Sequence, residues 1–247
     1  MGVLEEIIST ADGDAPVREV RIGPFWTGVW SRNCGLASTV FEHEHSSGPP
    51  VREAGNLTSM TARGLCSYGG SGSLLERSVA LAALNSLLEV DLARCREVNA
   101  ADLLVEWGQG KRVCVVGHFP FVPQLREVAG KLWVLERRPR EGDLPAGEAE
   151  RVIPEADVVA ITGTALINDT MDDLLGLCRK DALVMVLGPT TPLSPVWFDH
   201  GVQLVSGTVV TDPPTVLRLV SEGVVFNQFH GRGVRLVTLV KDPGIAG

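Results

Sequence analysis

From residue 111 onward, short and almost wholly apolar runs recur between segments of helical spacing, and no other feature of this sequence restricts its fold so tightly. The runs are Val113 to Val116, Leu132 to Leu135, Val158 to Ile161, Leu183 to Leu187, Leu204-Val205 and Val234 to Val240. A sheet with one wet face would alternate polar and apolar residues. Continuous apolar strands need cover on both faces, which parallel sheets obtain from their crossover helices. Between the runs, Val122, Leu125, Val128 and Ala129 fall at helical spacing, and Thr170 to Cys178 reads as a further helix. Asp212-Pro213-Pro214 supplies an N-cap with prolines in the first turn. This half is expected to be an α/β, doubly wound, mostly parallel sheet.

The part before it reads differently. Val17 to Trp30 and Leu36 to Phe41 are β-rich, broken by Gly23-Pro24 and by Arg32-Asn33-Cys34-Gly35, the pattern of a small meander. Leu57 to Leu65 suggests a short helix. Ser73-Leu74-Leu75-Glu76 has the form of a capping box, with Ser73 accepting from the Glu76 amide and Glu76 reaching back. The continuation, Val79 to Leu88, carries no charge, so a helix there must be buried on most sides.

Composition narrows the partners. Hydrophobic residues make up 45% and charged residues 21% of 247, which suits a packed fold. Of the net charge of −8, residues 1–107 contribute −6, from 14 acidic and 8 basic side chains. No basic patch is available to neutralise phosphates, so nucleic acid and anionic membranes are not expected partners. Five widely spaced cysteines, Cys34, Cys66, Cys95, Cys114 and Cys178, form no C-x-x-C pair and read as reduced thiols. With no run near the ~20 apolar residues of a membrane span, a cytoplasmic location is expected.

In an open parallel sheet, ligands bind beyond the carboxyl ends of the strands, where loop amides and helix N-termini converge. That rule selects Gly117, His118, Phe119 and Pro120 after the first strand, Glu136 after the second, Thr162, Gly163, Thr164 and Asn168 after the third, and Gly188, Pro189, Thr190 and Thr191 after the fourth. Glu136, 19 residues beyond Gly117, stands where dinucleotide-binding folds place an acid on ribose, although it could equally pair with Arg137 or Arg138. His118-Phe119-Pro120 obstructs the backbone approach that a pyrophosphate needs, which disfavours ordinary NAD binding. His118 is the candidate proton-transfer group or metal ligand, its bland alternative being packing on the adjacent helix. The threonines and Asn168 offer neutral donors and acceptors. Thr170 and Asp173 read as helix-capping residues.

Glu42-His43-Glu44-His45 would place both histidines on one face of an extended segment, but no third ligand is evident and a Gly/Pro loop follows, so a polar loop is the preferred reading. No G-x-S-x-G elbow, Walker loop, H-E-x-x-H or EF-hand loop occurs.

Taken together, Val116 to Pro120, Leu135-Glu136-Arg137-Arg138-Pro139-Arg140-Glu141-Gly142-Asp143, and Ile153 to Asp157 resemble the family described as Putative heavy-metal chelation. Gly188-Pro189-Thr190-Thr191-Pro192-Leu193-Ser194-Pro195 with Phe198-Asp199-His200-Gly201 is similar to its G-P-x-T-P-L-x-P…F-x-H-G segment. Trp26-Thr27, Gly35-Leu36-Ala37 and Leu81 to Asn85 extend the likeness to the first part. The resemblance implies a smaller α+β, enolase N-terminal-like domain over residues 1–96, followed by a Rossmann-like domain over 97–247, with the site where they meet.

It further implies a protein that binds a heavy-metal ion, a metal chelate or a chelator-type metabolite. One alternative is an enzyme of condensation or hydrolysis on pterin-, flavin- or siderophore-like molecules. Another is a methyltransferase-like protein holding S-adenosylmethionine at Glu136. His118 and, as a soft ligand, Cys34 are the metal candidates, against a simple turn role for Cys34 beside Gly35. Assembly as a homodimer is compatible with this reading.

Overall fold

The structure, a computed structural model, describes residues 1–41 and 49–241; the Glu42 to His45 cluster lies outside them. A helix α1 (Val3–Thr10) precedes a three-stranded antiparallel sheet of β1 (Glu19–Ile22), β2 (Trp26–Trp30) and β3 (Cys34–Ser38) in that order. The expected meander is therefore present. Leu57 to Leu65 is not one helix: a 3-10 turn, Leu57–Ser59, is separated from α2 (Ala62–Cys66) by extended Thr61, whose hydroxyl accepts from the Gly64 amide at 3.1 Å.

Helix α3 (Leu74–Leu87) follows, buried along nearly its whole length as its uncharged sequence requires. Its capping box forms only by half. Ser73 Oγ accepts from the Glu76 amide at 3.4 Å, but Glu76 turns away, and its Oε1 accepts from the Arg52 amide at 2.7 Å and from Arg52 Nε at 3.0 Å.

The second sheet has eight strands, β4 (Cys95–Arg96), β5 (Arg112–Val116), β6 (Lys131–Glu136), β7 (Leu144–Pro145), β8 (Val158–Thr162), β9 (Leu183–Leu187), β10 (Leu204–Val210) and β11 (Val234–Val240). Their order is β4-β11-β10-β9-β8-β5-β6-β7. Pairing is parallel from β10 through β7 and antiparallel at β10/β11 and β11/β4. The large sheet thus begins at Cys95, two residues before position 97. The strands are connected through α4 (Ala100–Gly108), α5 (Val122–Val128), α6 (Ala149–Val152), α7 (Met171–Leu177) and α8 (Pro213–Ser221).

Burial alternates along the central strands. Val113 and Val115 of β5, Val158 and Ala160 of β8, and Met185 and Leu187 of β9 share one apolar cluster with Leu103, Leu104 and Leu125 of α4 and α5. Cys114, Val159, Ile161, Val184 and Val186 face the other side, in a cluster that runs on into α1, α2 and α3. The smaller unit therefore shares a core with the large sheet. Each fully buried Leu, Ile or Val side chain contributes about 1.5–3 kcal/mol relative to exposure. Helix α8 adds a third cluster, in which Val216, Leu219 and Val220 pack on Leu36 of β3 with Trp26 alongside.

Candidate functional site

After β5 the chain moves outward to β6 and β7, then returns to the opposite side of β5 as β8. The crossovers diverge there, and diverging crossovers leave a crevice beyond the carboxyl ends of the strands. A cavity of about 900 Å³ occupies this crevice, within the size range of small-molecule sites. Gly117, His118 and Phe119 reach it from β5, Glu136 and Arg137 from β6, and Thr162, Thr164 and Asn168 from β8. Residues of α6 and α7, including Glu150, Asp172 and Asp173, complete its wall.

Gly117 makes the sharp exit from β5 possible, with φ of +101°, a conformation that side chains oppose. The next amide, of His118, donates to Oε1 of Glu136 at 3.0 Å, and Oε2 of Glu136 accepts from the Arg137 amide at 2.9 Å. Glu136 thus accepts from two backbone amides rather than pairing with a guanidinium among the described residues. Its carboxylate ties the β5 loop to the end of β6. The Arg137 side chain instead donates from Nη1 to Oδ1 of Asn168 at 2.6 Å, bridging the loops after β6 and β8.

Nδ1 of His118 lies 3.1 Å from Oδ2 of Asp143, so the ring does more than pack on a helix. Asp143 reaches it because the register Leu135↔Leu144 brings β7 back beside the end of β6, and the preceding turn closes with the Arg140 amide donating to the same Oδ2 at 3.1 Å. The Asp143 side chain is 1% exposed, and its Oδ1 has no hydrogen-bond partner among the described residues. With Nδ1 occupied, Nε2 is the ring nitrogen left for a ligand.

The loop after β8 is fixed from behind. Gly163 sits so close to the next loop that a Cβ there would meet Thr191 Oγ1 at 2.4 Å and its amide nitrogen at 2.7 Å. From α3, Arg77 donates to Asp169 Oδ2 at 3.1 Å and to the Ile167 carbonyl at 3.3 Å, holding Asp169 at a positive φ of 59°. Thr170 does not cap α7. Its backbone is not extended as an N-cap requires, and its hydroxyl donates to the Ala165 carbonyl at 3.4 Å. Asp172 Oδ1 accepts from the Val3 amide at 2.9 Å, which seats α1 on the cavity wall.

The remaining predicted residues lie elsewhere. Gly163, Gly188, Pro189, Thr190, Thr191 and the exposed Pro120 are not on the cavity surface. Thr190 is spent on the smaller unit: its Oγ1 accepts from the Ser38 amide at 2.9 Å, and its carbonyl accepts from Asn85 Nδ2 at 3.2 Å. Trp197, fully buried, donates from Nε1 to the Pro192 carbonyl at 2.8 Å and pins the same loop. The G-P-T-T-P segment thus docks the two sheets together.

Cys34 is likewise away from the cavity, buried at the start of β3 opposite Trp30. Burial pushes its thiol up to about 12, and does the same for Cys66 and Cys114, with Cys178 at about 11. A metal needs thiolate, so these groups are poor ligands. Among the described residues no three His, Cys, Asp or Glu side chains converge on a metal-sized site. No helix among them is long and apolar enough to cross a membrane.

Sequence reasoning missed Asp143, Arg137 as a cavity residue, and the acids Glu150, Asp172 and Asp173. Asp143 closes a motif of the resemblance but carries no local sign of its contact with His118.

The chain is 29% identical over 149 residues to an uncharacterized protein of Methanocaldococcus jannaschii, covering 58% of each; it thus spans little more than half the length of that relative. A crystal structure of a protein of unknown function from Desulfitobacterium hafniense DCB-2 superposes with a TM-score of 0.84 at 28% identity, over 97% of this chain and 98% of that one. A second, from Pyrococcus horikoshii, has a TM-score of 0.80 at 19% identity, over 96% and 98%, and shares the fold. Residues 99–238 match one family bearing the description Putative heavy-metal chelation, and residues 4–88 match a second with the same description. The α/β chain with its mostly parallel eight-stranded sheet belongs to the Putative heavy-metal chelation family.

Proposed function

We propose that this protein binds a small organic chelator, free or as its metal complex, in the cavity at the ends of β5, β6 and β8, with the metal as cargo rather than a resident ion. The observation that carries this reading is the charge of the wall. Four carboxylates, Glu136, Glu150, Asp172 and Asp173, face one guanidinium, Arg137. An acid-rich cavity favours cationic occupants over phosphates. It lacks a cluster of side chains able to hold a bare metal, so the donor atoms must come mainly from the occupant. The family description agrees with metal handling.

S-adenosylmethionine is less well supported, because both carboxylate oxygens of Glu136 are already engaged by backbone amides. Equilibrium dialysis of the purified protein tests the proposal, using nickel(II) alone, the cationic nickel–bipyridine complex and the anionic nickel–nitrilotriacetate complex. Saturable one-site binding of the cationic complex, with weak binding of the other two, is expected. Tight binding of bare nickel with no preference for the cationic complex would sink it.

A further inference from the structure

We infer that the cavity is a catalytic site in which His118 and Asp143 exchange protons for metal on a bound amine-type chelator, a step that rests on the chelator reading above. Three observations converge. His118 is the cavity's imidazole, and its Nδ1 is engaged at 3.1 Å by Asp143, leaving Nε2 free to accept a proton. The Asp143 carboxylate is 1% exposed and has one oxygen without a partner among the described residues. A buried carboxylate so poorly compensated is costly unless a positive charge forms beside it. Proton transfer to Nε2 forms that charge, and Asp143 holds the ring in the tautomer that permits it. Finally, the side chains of Glu150 and Asp173 have no hydrogen-bond partner among the described residues and line the same space, where their charge attracts an ammonium group.

A protonated amine chelator cannot coordinate a metal until its N–H protons leave, since ligands bind only when deprotonated. In the proposed step an N–H bond of the ammonium group breaks, the proton passes to Nε2 of His118, and the electron pair stays on nitrogen. That pair then forms the nitrogen–metal bond. The imidazolium returns its proton to solvent, and the cycle repeats for the next ammonium group. No oxidation occurs: a diprotonated chelator and a divalent metal ion give the metal complex and two protons. His118 is the catalytic residue, and Asp143 is a positioning residue acting through it.

The macrocyclic tetraamine cyclam, doubly protonated at neutral pH, is a suitable probe, because its reaction with nickel(II) is slow and can be followed by absorbance. The protein should accelerate nickel–cyclam formation with saturation kinetics, and His118→Ala should lose the acceleration on the order of 10²-fold. Calorimetry should show that this variant still binds cyclam, and added imidazole should restore part of the rate. Asp143→Asn should lower kcat with KM within about twofold, a split that a merely structural role would not give. Cyclam binding without acceleration, or full acceleration by His118→Ala, would overturn the inference while leaving the chelator reading intact. Failure to bind either cyclam or nickel–bipyridine would overturn both.

Discussion

Nδ1 of His118 and Oδ2 of Asp143 stand 3.1 Å apart at the end of β5, although the two residues belong to different loops of the sheet. The contact dictates a tautomer: in neutral His118 the proton sits on Nδ1, and Nε2 carries the lone pair. Long-range proton–nitrogen correlation spectra should show that tautomer in the native protein. In Asp143→Asn, whose amide can also donate, the preference should weaken while the backbone spectrum stays folded. A dominant Nε2–H form in the native protein would contradict the geometry.

Gly163 brings the loop after β8 into close contact with Thr191 in the loop after β9. Replacement by alanine forces Cβ against the backbone of Thr191, which cannot yield as a flexible side chain would. Destabilisation of about 1–3 kcal/mol is expected, read as a lower denaturant midpoint. Gly147→Ala, where an added Cβ meets nothing within 4 Å, should move the midpoint far less.

At the opposite, amino-terminal end of the same sheet, Asp157 pairs with Arg112. Side-chain hydrogen bonds from Arg112, at 2.8 and 3.1 Å, then the Arg112 amide, hold its carboxyl well below the usual range. A depressed folded value means that the stabilisation is fully present above the unfolded value near ~3.9 and is lost as pH falls through the folded one. Asp157→Asn should therefore cost about 1–2 kcal/mol at pH 7. Its deficit relative to the native protein should shrink as pH is lowered below about 4, measured by urea unfolding across the series.

Arg137 is the cavity's guanidinium among four carboxylates. Arg137→Ala should tighten binding of nickel–bipyridine by about two- to tenfold at low salt, with the gain fading as ionic strength rises. Being exposed, the residue should change stability by no more than about 0.5 kcal/mol. Weaker binding of the cationic complex in this variant would show that the wall's charge does not select the occupant.

The fold was legible wherever one residue's neighbours are local. The apolar runs at 113–116, 158–161 and 183–187 mark doubly covered strands because period-2 burial on both faces leaves no polar position. Asp212 caps α8, accepting from the Thr215 amide at 3.2 Å, as its spacing to Pro213-Pro214 suggested. The site was legible only at the strand ends, His118, Glu136 and Thr162 among them. Which strand ends stay open depends on partners far along the chain. Ser38 lies 152 residues from Thr190 yet takes up its hydroxyl, removing the fourth loop from the cavity. Asp143 reaches His118 only through the β6/β7 register, and α1, passed over in the sequence, is placed by Asp172. Such contacts leave no periodicity to read.

The central claim, a chelate held in the cavity at the reversal of the strand order, is tested most directly by anomalous diffraction from crystals soaked with nickel–bipyridine. The account predicts one strong nickel peak inside the cavity, among His118, Asn168 and Asp173, absent when nickel–nitrilotriacetate is used instead. Nickel found only on the outer surface, or in the cavity without its bipyridine, would contradict it.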